Sequence, residues 1–280
     1  MGRTICLREL LLGTEGAALF RHLIDCDQGF ADARVDAVRR LIAHFDEPRY
    51  AIGIEVPELD VTAGYTAWAP IYDTMENGLI AAEEPLVESV TRDLPIGRAL
   101  DAACGTGRHA VRLAAAGHET VGIDATPAML DIARTRAPGV DFRLGDLAAL
   151  PVDDAGFDFA ICALALAHLP DPAPAVAELA RAVRPGGRIV LTDAHPTFVL
   201  IQGQATFPTA GGLAFVRNHP IMIGAYLAMF RACGLAVVDC LEGSLAVDFS
   251  RGMFAEAADA ATALFDRIPV ALVWSLEKPA

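Results

Sequence analysis

The stretch Ala99-Leu-Asp-Ala-Ala-Cys-Gly-Thr-Gly-Arg108 places two glycines and a carboxylate directly after a short apolar segment. Glycines at this spacing let the backbone pass close to a ligand, because no Cβ stands in the way. Asp124 and Asp146 follow the next two apolar segments along the chain. Carboxylates in such positions can accept hydrogen bonds from ribose hydroxyls or from a purine amino group. These residue types therefore indicate a nucleotide-like ligand.

Two histidines that follow later apolar segments are the candidate proton acceptors. His168 follows one such run, and His195 follows Thr192-Asp193-Ala194. A neutral imidazole within hydrogen-bond reach can remove the proton of a hydroxyl group during a transfer reaction. Each histidine could instead pack in a loop or in the core, and both interpretations stay open here. A metal site from Asp193, His195 and His219 has no supporting ligand spacing, so no metal is expected.

Alternating strand and helix patterns from about residue 83 onward would position these side chains. Strands are predicted at Arg98–Asp101, Glu119–Asp124, Asp141–Leu144, Phe157–Leu164, Arg188–Asp193, Leu235–Leu241 and Val270–Leu276. Helices are predicted at Glu83–Asp93, Arg108–Ala116, Pro127–Arg136, from Asp171-Pro172 to Pro185-Gly-Gly187, Pro220–Cys233 and Arg251–Phe265. This repetition indicates an α/β protein with a parallel sheet. Ligands of such sheets bind outside the carboxyl ends of the strands, and the first strand–helix turn is the usual contact.

Residues 1–60 are predicted to form a small N-terminal helical annex. Thr14 can cap a helical segment that runs through Asp25. A second predicted helix, Phe30–Phe45, carries apolar side chains at helical spacing on one face, which needs a partner surface. Pro and Gly residues punctuate residues 46–63, which we interpret as a connector to the main domain.

Charge and composition exclude several function classes. The chain has 280 residues and a formal net charge of −14, which disfavours attraction to nucleic acid phosphates. No signal-type or membrane-length apolar run is present in the sequence, so a cytoplasmic protein without a membrane partner is expected. The six cysteines show no CxxC pairing, which favours reduced thiols. Lys278 is the only lysine and alanine is abundant, as is typical of a GC-rich bacterial genome.

The glycine turn differs from the dinucleotide fingerprint G-x-G-x-x-G. Ala103 stands where the first glycine would be, and His109-Ala110 occupies the place of the third. A nicotinamide-dependent reductase is therefore disfavoured. The remaining Asp101-x-Ala-Cys-Gly-Thr-Gly107 resembles motif I of class I S-adenosylmethionine-dependent methyltransferases. The later motifs of that family follow in order at Val121–Leu130, Gly145–Leu147, Phe157–Asp171 and Leu179–Leu191.

The resemblance covers about residues 65–195 and is strongest to the small-molecule branch that includes ubiquinone/menaquinone-type and natural-product enzymes. It implies a Rossmann-like, seven-stranded, mostly parallel sheet with helices on both faces and an antiparallel last strand, within a domain spanning residues 61–280. It also implies S-adenosylmethionine as cofactor and S-adenosylhomocysteine as product. The cofactor-binding positions implied by the family motifs are Tyr65, Tyr72, Asp101, Ala103, Cys104, Gly105, Gly107, Asp124, Met129, Asp146, Leu147 and Ala163.

Within that implied set the roles differ by chemistry. Gly105 and Gly107 would let the backbone close around the methionine part, and Asp124 would hold the ribose. Asp146 and Leu147 would frame the adenine. The ring faces and hydroxyls of the two tyrosines would meet the sulfonium and the carboxylate. The aspartates could instead be ordinary strand-end caps, and the aromatic residues could pack a helix against the sheet.

Residues 195–230 form a long insertion on the expected acceptor side. Long insertions in compact domains are often lids or binding loops. Its candidate acceptor contacts are aromatic rings for a flat apolar molecule and polar side chains for a hydroxyl or carboxylate: Phe198, Phe207, Arg217, His219 and Tyr226. A homodimer contact is the competing interpretation of this segment.

The resemblance therefore implies methyl transfer to a small-molecule acceptor, with O-methylation of a hydroxyl or carboxylate in an aromatic or polyketide-like metabolite as the prediction. N- or C-methylation stays open. A protein of this fold that uses bound cofactor structurally, as a cyclase-type catalyst or a regulatory binder, is the alternative from a different class.

Overall fold

The computed structural model describes residues 3–201, 203–248 and 255–280. The chain divides into two compact units. The small unit comprises Met1–Glu58, Thr206–Phe215 and Ser244–Ile268, and the large unit comprises Leu59–Ala205, Val216–Gly243 and Pro269–Ala280. The small unit thus combines three segments that are far apart in the sequence.

The strands and helices are named in chain order. The described strands are β1 (Arg3–Cys6), β2 (Gly53–Val56), β3 (Glu58–Leu59), β4 (Arg98–Ala102), β5 (Glu119–Asp124), β6 (Asp141–Leu144), β7 (Phe157–Ala163), β8 (Val183–Ala194), β9 (Ala205–Thr209), β10 (Gly212–Val216), β11 (Ala236–Ser244) and β12 (Pro269–Glu277). The described α-helices are α1 (Leu7–Arg21), α2 (Gln28–Ala43), α3 (Pro48–Ala51), α4 (Val61–Trp68), α5 (Gly78–Thr91), α6 (Arg108–Ala115), α7 (Pro127–Arg136), α8 (Ala173–Ala182), α9 (Pro196–Leu200), α10 (Ile223–Ala232) and α11 (Ala258–Phe265).

A seven-stranded sheet forms the centre of the large unit, with the strand order β11-β12-β8-β7-β4-β5-β6. β4 pairs in parallel with β5 on one side and with β7 on the other, and β7 pairs in parallel with β8. β12 runs antiparallel to β8. The predicted mostly parallel sheet with an antiparallel last strand is confirmed. Because strand order reverses at β4, the carboxyl ends of β4 and its neighbours outline a crevice.

Both faces of this sheet are covered by helices, which explains why its central strands are almost continuously apolar. On one face, Leu179 of α8 and Phe230 of α10 pack with Leu100 of β4 in the main core cluster. On the other face, Val87 of α5 and Leu113 of α6 pack with further strand residues. The carboxyl ends of the strands are therefore held on a rigid, fully packed base.

Gly122 in the middle of β5 provides a test of that packing. A Cβ at this position would lie 2.5 Å from Cδ1 of Phe142 and 3.1 Å from Sγ of Cys104. We expect Gly122→Ala to lower the free energy of unfolding by about 1–3 kcal/mol, because the core would have to shift to admit a methyl group. Urea denaturation measures this change. Gly139→Ala is the matched control, since a Cβ there meets nothing within 4 Å, and an equal loss in both variants would contradict the prediction.

The small unit contains the predicted N-terminal helices together with strands that were not predicted. β1 pairs antiparallel with β2, so that Arg3 lies opposite Val56. Asp27 caps α2 by accepting a hydrogen bond from the backbone N–H of Phe30 at 2.8 Å. Within the described residues, the small unit also includes α11, whose Ala260 packs in one cluster with buried side chains of α1 and α2. Its core therefore depends on chain segments more than 200 positions apart.

Two local predictions are wrong. Thr14 does not cap a helix: α1 begins at Leu7, and the Thr14 hydroxyl donates to the carbonyl of Leu10, one turn earlier in the same helix, at 2.8 Å. A threonine hydroxyl can either cap a helix or bond to a carbonyl one turn earlier within the helix. The second arrangement forms here because the helix-forming residues before Thr14 start the helix upstream of it. Pro185-Gly-Gly187 does not end a helix, because α8 ends at Ala182 and these residues lie within β8. They occupy the part of β8 where its register with β7 shifts.

Other helix and strand boundaries differ from the predicted ones, and the predicted connector contains elements of its own. α5 begins at Gly78 rather than Glu83, and the 46–63 connector contains α3, β2, β3 and the start of α4. The first part of the predicted helix Arg251–Phe265 lies outside the described residues, and its end is α11. None of the helices in the described ranges has both the length and the apolar character needed to cross a bilayer.

Candidate functional site

A cavity opens at the carboxyl ends of β4, β5, β6 and β7, and all of its walls belong to the large unit. Its lining residues are Val61, Tyr65, Tyr72, Ala103, Gly105, Ile123, Asp124, Ala125, Thr126, Gly145, Asp146, Leu147, Ala163, Leu164, Ala165, His168 and Leu169. Most of the cofactor-binding positions predicted from the sequence therefore line one cavity. Of the two predicted proton acceptors, His168 lines it and His195 does not.

The glycine turn after β4 forms one wall through left-handed backbone conformations. Ala103 has φ +60°, Gly105 has φ +54°, and Gly107 has φ +81°. A Cβ on Gly105 would meet no atom within 4 Å, so this residue faces open space, whereas a Cβ on Gly107 would lie 3.2 Å from Ala133 and from Phe142. Leu164 at the end of β7 is also left-handed, with φ +55°. Such conformations in residues other than glycine are uncommon and cluster at binding sites.

Asp124 ties the end of β5 to the glycine turn. Its Oδ2 accepts the backbone N–H of Gly105 at 2.8 Å, and its Oδ1 accepts that of Thr126 at 2.7 Å. Burial raises the pKa of this carboxyl, while the N–H groups of Thr126 and Gly105 act in the opposite direction. Each carboxylate oxygen has two lone pairs, so both oxygens can still accept from a ligand. Asp124 therefore combines a structural role with an acceptor pair inside the cavity.

Asp101 lies beneath the same turn. Its Oδ2 accepts the backbone N–H of Ala110 at 2.8 Å, and its Oδ1 is buried without a hydrogen-bond partner among the described residues. Burial, partly offset by His109, raises the pKa of Asp101 to about 6. Buried polar atoms are normally paired, so Oδ1 has capacity for a donor. Asp101 is not part of the cavity lining, and its contact with the cofactor stays a prediction.

Tyr65 and His168 form a hydrogen-bonded pair in the cavity wall. The Tyr65 hydroxyl lies 2.7 Å from Nε2 of His168, and Nδ1 of His168 lies 2.9 Å from the carbonyl oxygen of Arg217. A carbonyl can only accept, so Nδ1 carries the proton and Nε2 accepts from Tyr65. Burial lowers the pKa of His168, although the Arg217 carbonyl acts against it. The imidazole is therefore held neutral in one tautomer.

Aromatic rings surround this pair. The ring centroids of Tyr65 and Trp68 are 5.6 Å apart, and those of Trp68 and Tyr72 are 5.0 Å apart. Burial raises the pKa of Tyr72 to about 12 and that of Tyr65 well above its ordinary value. Both hydroxyls thus stay protonated, and the ring faces of the two tyrosines form part of the lining.

Comparison with known proteins agrees with this geometry. Residues 100–191 match the family described as methyltransferase domain. The demethylmenaquinone methyltransferase of Renibacterium salmoninarum is 35% identical over 144 residues, which are 50% of this chain and 61% of that protein. Residues 100–191 of this chain form a methyltransferase domain. It spans less than two thirds of the length of the Renibacterium relative.

Solved structures resemble the chain over a longer stretch. An S-adenosylmethionine-dependent methyltransferase from Mesorhizobium loti has a TM-score of 0.53 at 23% identity, covering 70% of this chain and 97% of the other. The [4+2]-cyclase SpnF has a TM-score of 0.59 at 23% identity, covering 80% of this chain and 99% of the other. At such identities the likeness shows the fold of the methyltransferase domain alone.

A buried ionic network behind the glycine turn of the methyltransferase domain was not predicted from the sequence. Glu83 of α5 is fully buried; its Oε2 accepts from Arg108 and its Oε1 from the Thr192 hydroxyl, both at 2.8 Å. Nε2 of His109 lies 3.4 Å from Oε1. Burial by itself would raise the pKa of Glu83, but His109 and Arg108 more than offset it and hold the pKa at about 2. Glu83 thereby anchors the first turn of α6 to α5 and β8.

His195, the other predicted proton acceptor, is committed to structural contacts. Its Nδ1 accepts the backbone N–H of Thr197 at 3.1 Å and caps α9, and its Nε2 lies 3.0 Å from Oε1 of Glu242. Since Nδ1 accepts, Nε2 carries the proton and donates to the carboxylate. The ring therefore has no nitrogen that could take up another proton without losing one of these contacts.

The five predicted acceptor contacts are not part of the cavity lining. Tyr226 is buried, packs against Trp274 and donates its hydroxyl to Oδ2 of Asp193 at 2.8 Å. Phe207 is buried on β9, and Phe198 lies on α9. Arg217 and His219 contact the cavity wall through backbone atoms. The carbonyl oxygen of Arg217 is bound to His168, and the N–H of His219 donates to the carbonyl oxygen of Ala167.

Three of the predicted cofactor-binding positions, Cys104, Gly107 and Met129, also lie outside the cavity lining. Cys104 and Met129 are buried.

Asp193 makes the methyltransferase domain sensitive to pH. Burial raises its pKa to about 7, although hydrogen bonds from Tyr226, Ala194 and Ala167 act against this. In the unfolded chain the Asp193 carboxyl has its ordinary pKa of 3.8. The contribution of Asp193 to the free energy of unfolding is therefore greatest below that pH. This contribution declines as the pH rises from 3.8 toward 7 and stays constant at higher pH.

We expect Asp193→Asn to remove this decline, because an amide does not ionise. The free energy of unfolding, measured by urea denaturation between about pH 5 and pH 8, should fall more steeply with pH in the wild-type protein than in the variant up to neutrality. The other titrating groups are the same in the wild-type protein and the variant, so their contributions to this pH dependence cancel. Parallel curves for the two proteins would contradict the burial of an ionisable Asp193.

Proposed function

We propose that this protein transfers a methyl group from S-adenosylmethionine to the oxygen of a small-molecule acceptor and releases S-adenosylhomocysteine. The observation that carries the proposal is one cavity, at the point where strand order reverses, that is lined by Asp124, the glycine turn and the Tyr65–His168 pair. A hydroxyl of an aromatic or polyketide-like metabolite is the proposed acceptor. The Renibacterium relative, which bears the name of a demethylmenaquinone methyltransferase, supports an aromatic ring system.

The lining residues fit the chemistry of the cofactor. The carboxylate of Asp124 suits a ribose diol, and the open space beside Gly105 admits a ligand against the backbone. Ile123 and Leu147 supply apolar walls for a purine, and the ring face of Tyr72 suits a sulfonium. When bound, S-adenosylmethionine supplies an activated methyl group, so the protein needs mainly to align the acceptor and exclude water.

A hydroxyl acceptor also requires a route for its proton. We assign this route to the hydrogen-bonded pair: Tyr65 Oη takes the acceptor proton as its own proton moves to Nε2 of His168. The resulting imidazolium keeps its Nδ1–H on the carbonyl of Arg217. A carboxylate acceptor carries no proton and would not need this pair. Dependence of the rate on His168 therefore distinguishes the two acceptor classes.

Calorimetric titration with S-adenosylmethionine and S-adenosylhomocysteine is the first test. Micromolar binding of both supports the proposal, and binding of neither overturns it. A panel of phenols, hydroxyquinones, aromatic carboxylates and amines, incubated with cofactor carrying a labelled methyl group, then reports which atom is methylated by mass spectrometry. Tight cofactor binding without transfer to any member would favour the cyclase-type or regulatory alternative, for which the fold of the SpnF cyclase is a precedent.

A further inference from the structure

A second cavity lies entirely within the small unit and shares no residue with the cofactor cavity. Its volume is about 330 Å³, which falls within the range of small-molecule binding sites. It is lined by Leu11, Glu15, Ala37, Arg40, Leu41, His44, Tyr50 and Glu256. The lining combines apolar side chains with side chains of both signs of charge, so the cavity can contact both an apolar and a charged part of a ligand.

Glu15 supplies a buried carboxylate with unused hydrogen-bonding capacity. The residue is only 7% exposed, and its Oε2 has no hydrogen-bond partner among the described residues. Nε of Arg34 lies 3.3 Å from that oxygen, near enough for an ion pair but without hydrogen-bond geometry. Burial raises the pKa of Glu15, although Arg34 and Arg40 act against it. A buried carboxylate oxygen without a donor is costly, and a ligand N–H group would supply the missing bond.

Arg40 supplies the opposite charge. Its exposed guanidinium makes no hydrogen bond or ion pair with any described residue. Two further polar groups of the lining are already paired: His44 with Glu47 at 2.7 Å, and Glu256 with Arg49 at 2.8 Å. The cavity therefore offers one buried carboxylate oxygen without a hydrogen bond, on α1, and one cation without a partner among the described residues, on α2.

We propose that this cavity binds a zwitterionic amino carboxylate with an apolar side chain. The ammonium donates to Glu15, and the carboxylate accepts from Arg40 in the fork geometry that a guanidinium favours. The apolar side chain lies against Leu11, Ala37 and Leu41. A ligand with one charge alone would leave either the Glu15 oxygen without a hydrogen bond or Arg40 without a partner among the described residues.

Isothermal titration of the 280-residue protein with L-leucine, L-isoleucine and L-phenylalanine tests the proposal. We expect saturable one-to-one binding of at least one of the three. The corresponding amine and the corresponding carboxylic acid, 3-methylbutylamine and 4-methylpentanoate for leucine, should each bind at least about tenfold more weakly, because each loses a charge-assisted hydrogen bond. Binding of none of the amino acids, or equal binding of a single-charge analogue, overturns the proposal.

Variants locate the binding. Arg40→Gln should weaken it at least about tenfold, whereas Arg39→Gln, which changes an arginine paired with Asp36 on the same helix, should leave it unchanged. Ala37→Phe fills the cavity without altering charge and should abolish binding even if a Glu15→Gln variant does not fold. Unchanged affinity in Ala37→Phe places the ligand elsewhere and overturns the proposal. Titration of each variant with S-adenosylhomocysteine shows separately whether the methyltransferase domain is intact.

Discussion

The His168→Gln variant is expected to lose about 100- to 10,000-fold in kcat for a hydroxyl acceptor, which is the usual contribution of a positioned general base. Glutamine keeps a hydrogen-bonding side chain of similar size but cannot take up the proton that leaves Tyr65. Methyl transfer to the same acceptor, followed with labelled cofactor, measures the loss. His118→Gln is the matched control, since His118 lies just before β5 at the opposite end of the strand and outside the cavity lining.

The pH profile separates proton transfer from a purely structural role of His168. Burial lowers the pKa of this imidazole from its ordinary value of 6.5, and only the neutral ring can accept a proton. Wild-type kcat should therefore rise with pH through a pKa below 6.5 and stay level at neutral pH. The variant should lack this step. Tyr65→Phe should reduce kcat as well, because it interrupts the route. Full activity of both variants would show that the acceptor brings no proton to be removed.

The Asp124→Asn variant is expected to bind S-adenosylmethionine about 100-fold or more weakly. The amide replaces an anionic acceptor pair, and each charge-assisted hydrogen bond to a hydroxyl contributes about 1.5–3 kcal/mol. The amide nitrogen would also face a backbone N–H, either that of Gly105 or that of Thr126, which both donate to the carboxylate in the wild-type protein. Calorimetric titration with S-adenosylmethionine and S-adenosylhomocysteine measures the change.

Asp131→Asn is the control for this experiment. Asp131 is exposed on α7, and its carboxylate pairs with Arg134 one turn away. This variant should bind the cofactor as the wild-type protein does. A circular dichroism spectrum and a melting curve of Asp124→Asn show whether the sheet is intact. Wild-type affinity in a folded Asp124→Asn protein would contradict the assignment of the ribose position to this residue.

The residues whose function depends on local order could be predicted from the sequence. The glycine turn follows β4 directly, Asp124 ends β5, and Asp146 follows β6. In a parallel sheet all strand ends of one kind lie on the same edge, so the order of strands, turns and carboxylates along the chain already places them together. For that reason the cavity is lined by most of the motif residues.

Contacts between residues that are far apart in the sequence could not be predicted. Tyr65 and His168 are 103 positions apart, and their sequence contexts predict only separate roles: a cofactor contact for Tyr65, and a base or a packing residue for His168. Glu83 meets Thr192 across 109 positions, and nothing near Glu83 in the sequence indicates this contact. The contrast between His168 and His195 is of the same kind, because His168 is paired with the cavity-lining Tyr65, whereas His195 is paired with Glu242.

The α/β order, the position of the glycine turn and the resemblance to methyltransferases could be predicted from the residues alone, since these depend on periodicity, glycine placement and motif spacing over short stretches. The tautomer of His168, the buried hydrogen bond of Tyr226 to Asp193 and the position of Glu15 at a separate cavity all depend on long-range packing and could not be predicted. The physical reason is that hydrogen-bond partners and burial arise from side chains brought together by packing, and periodicity reports only which face of an element is buried.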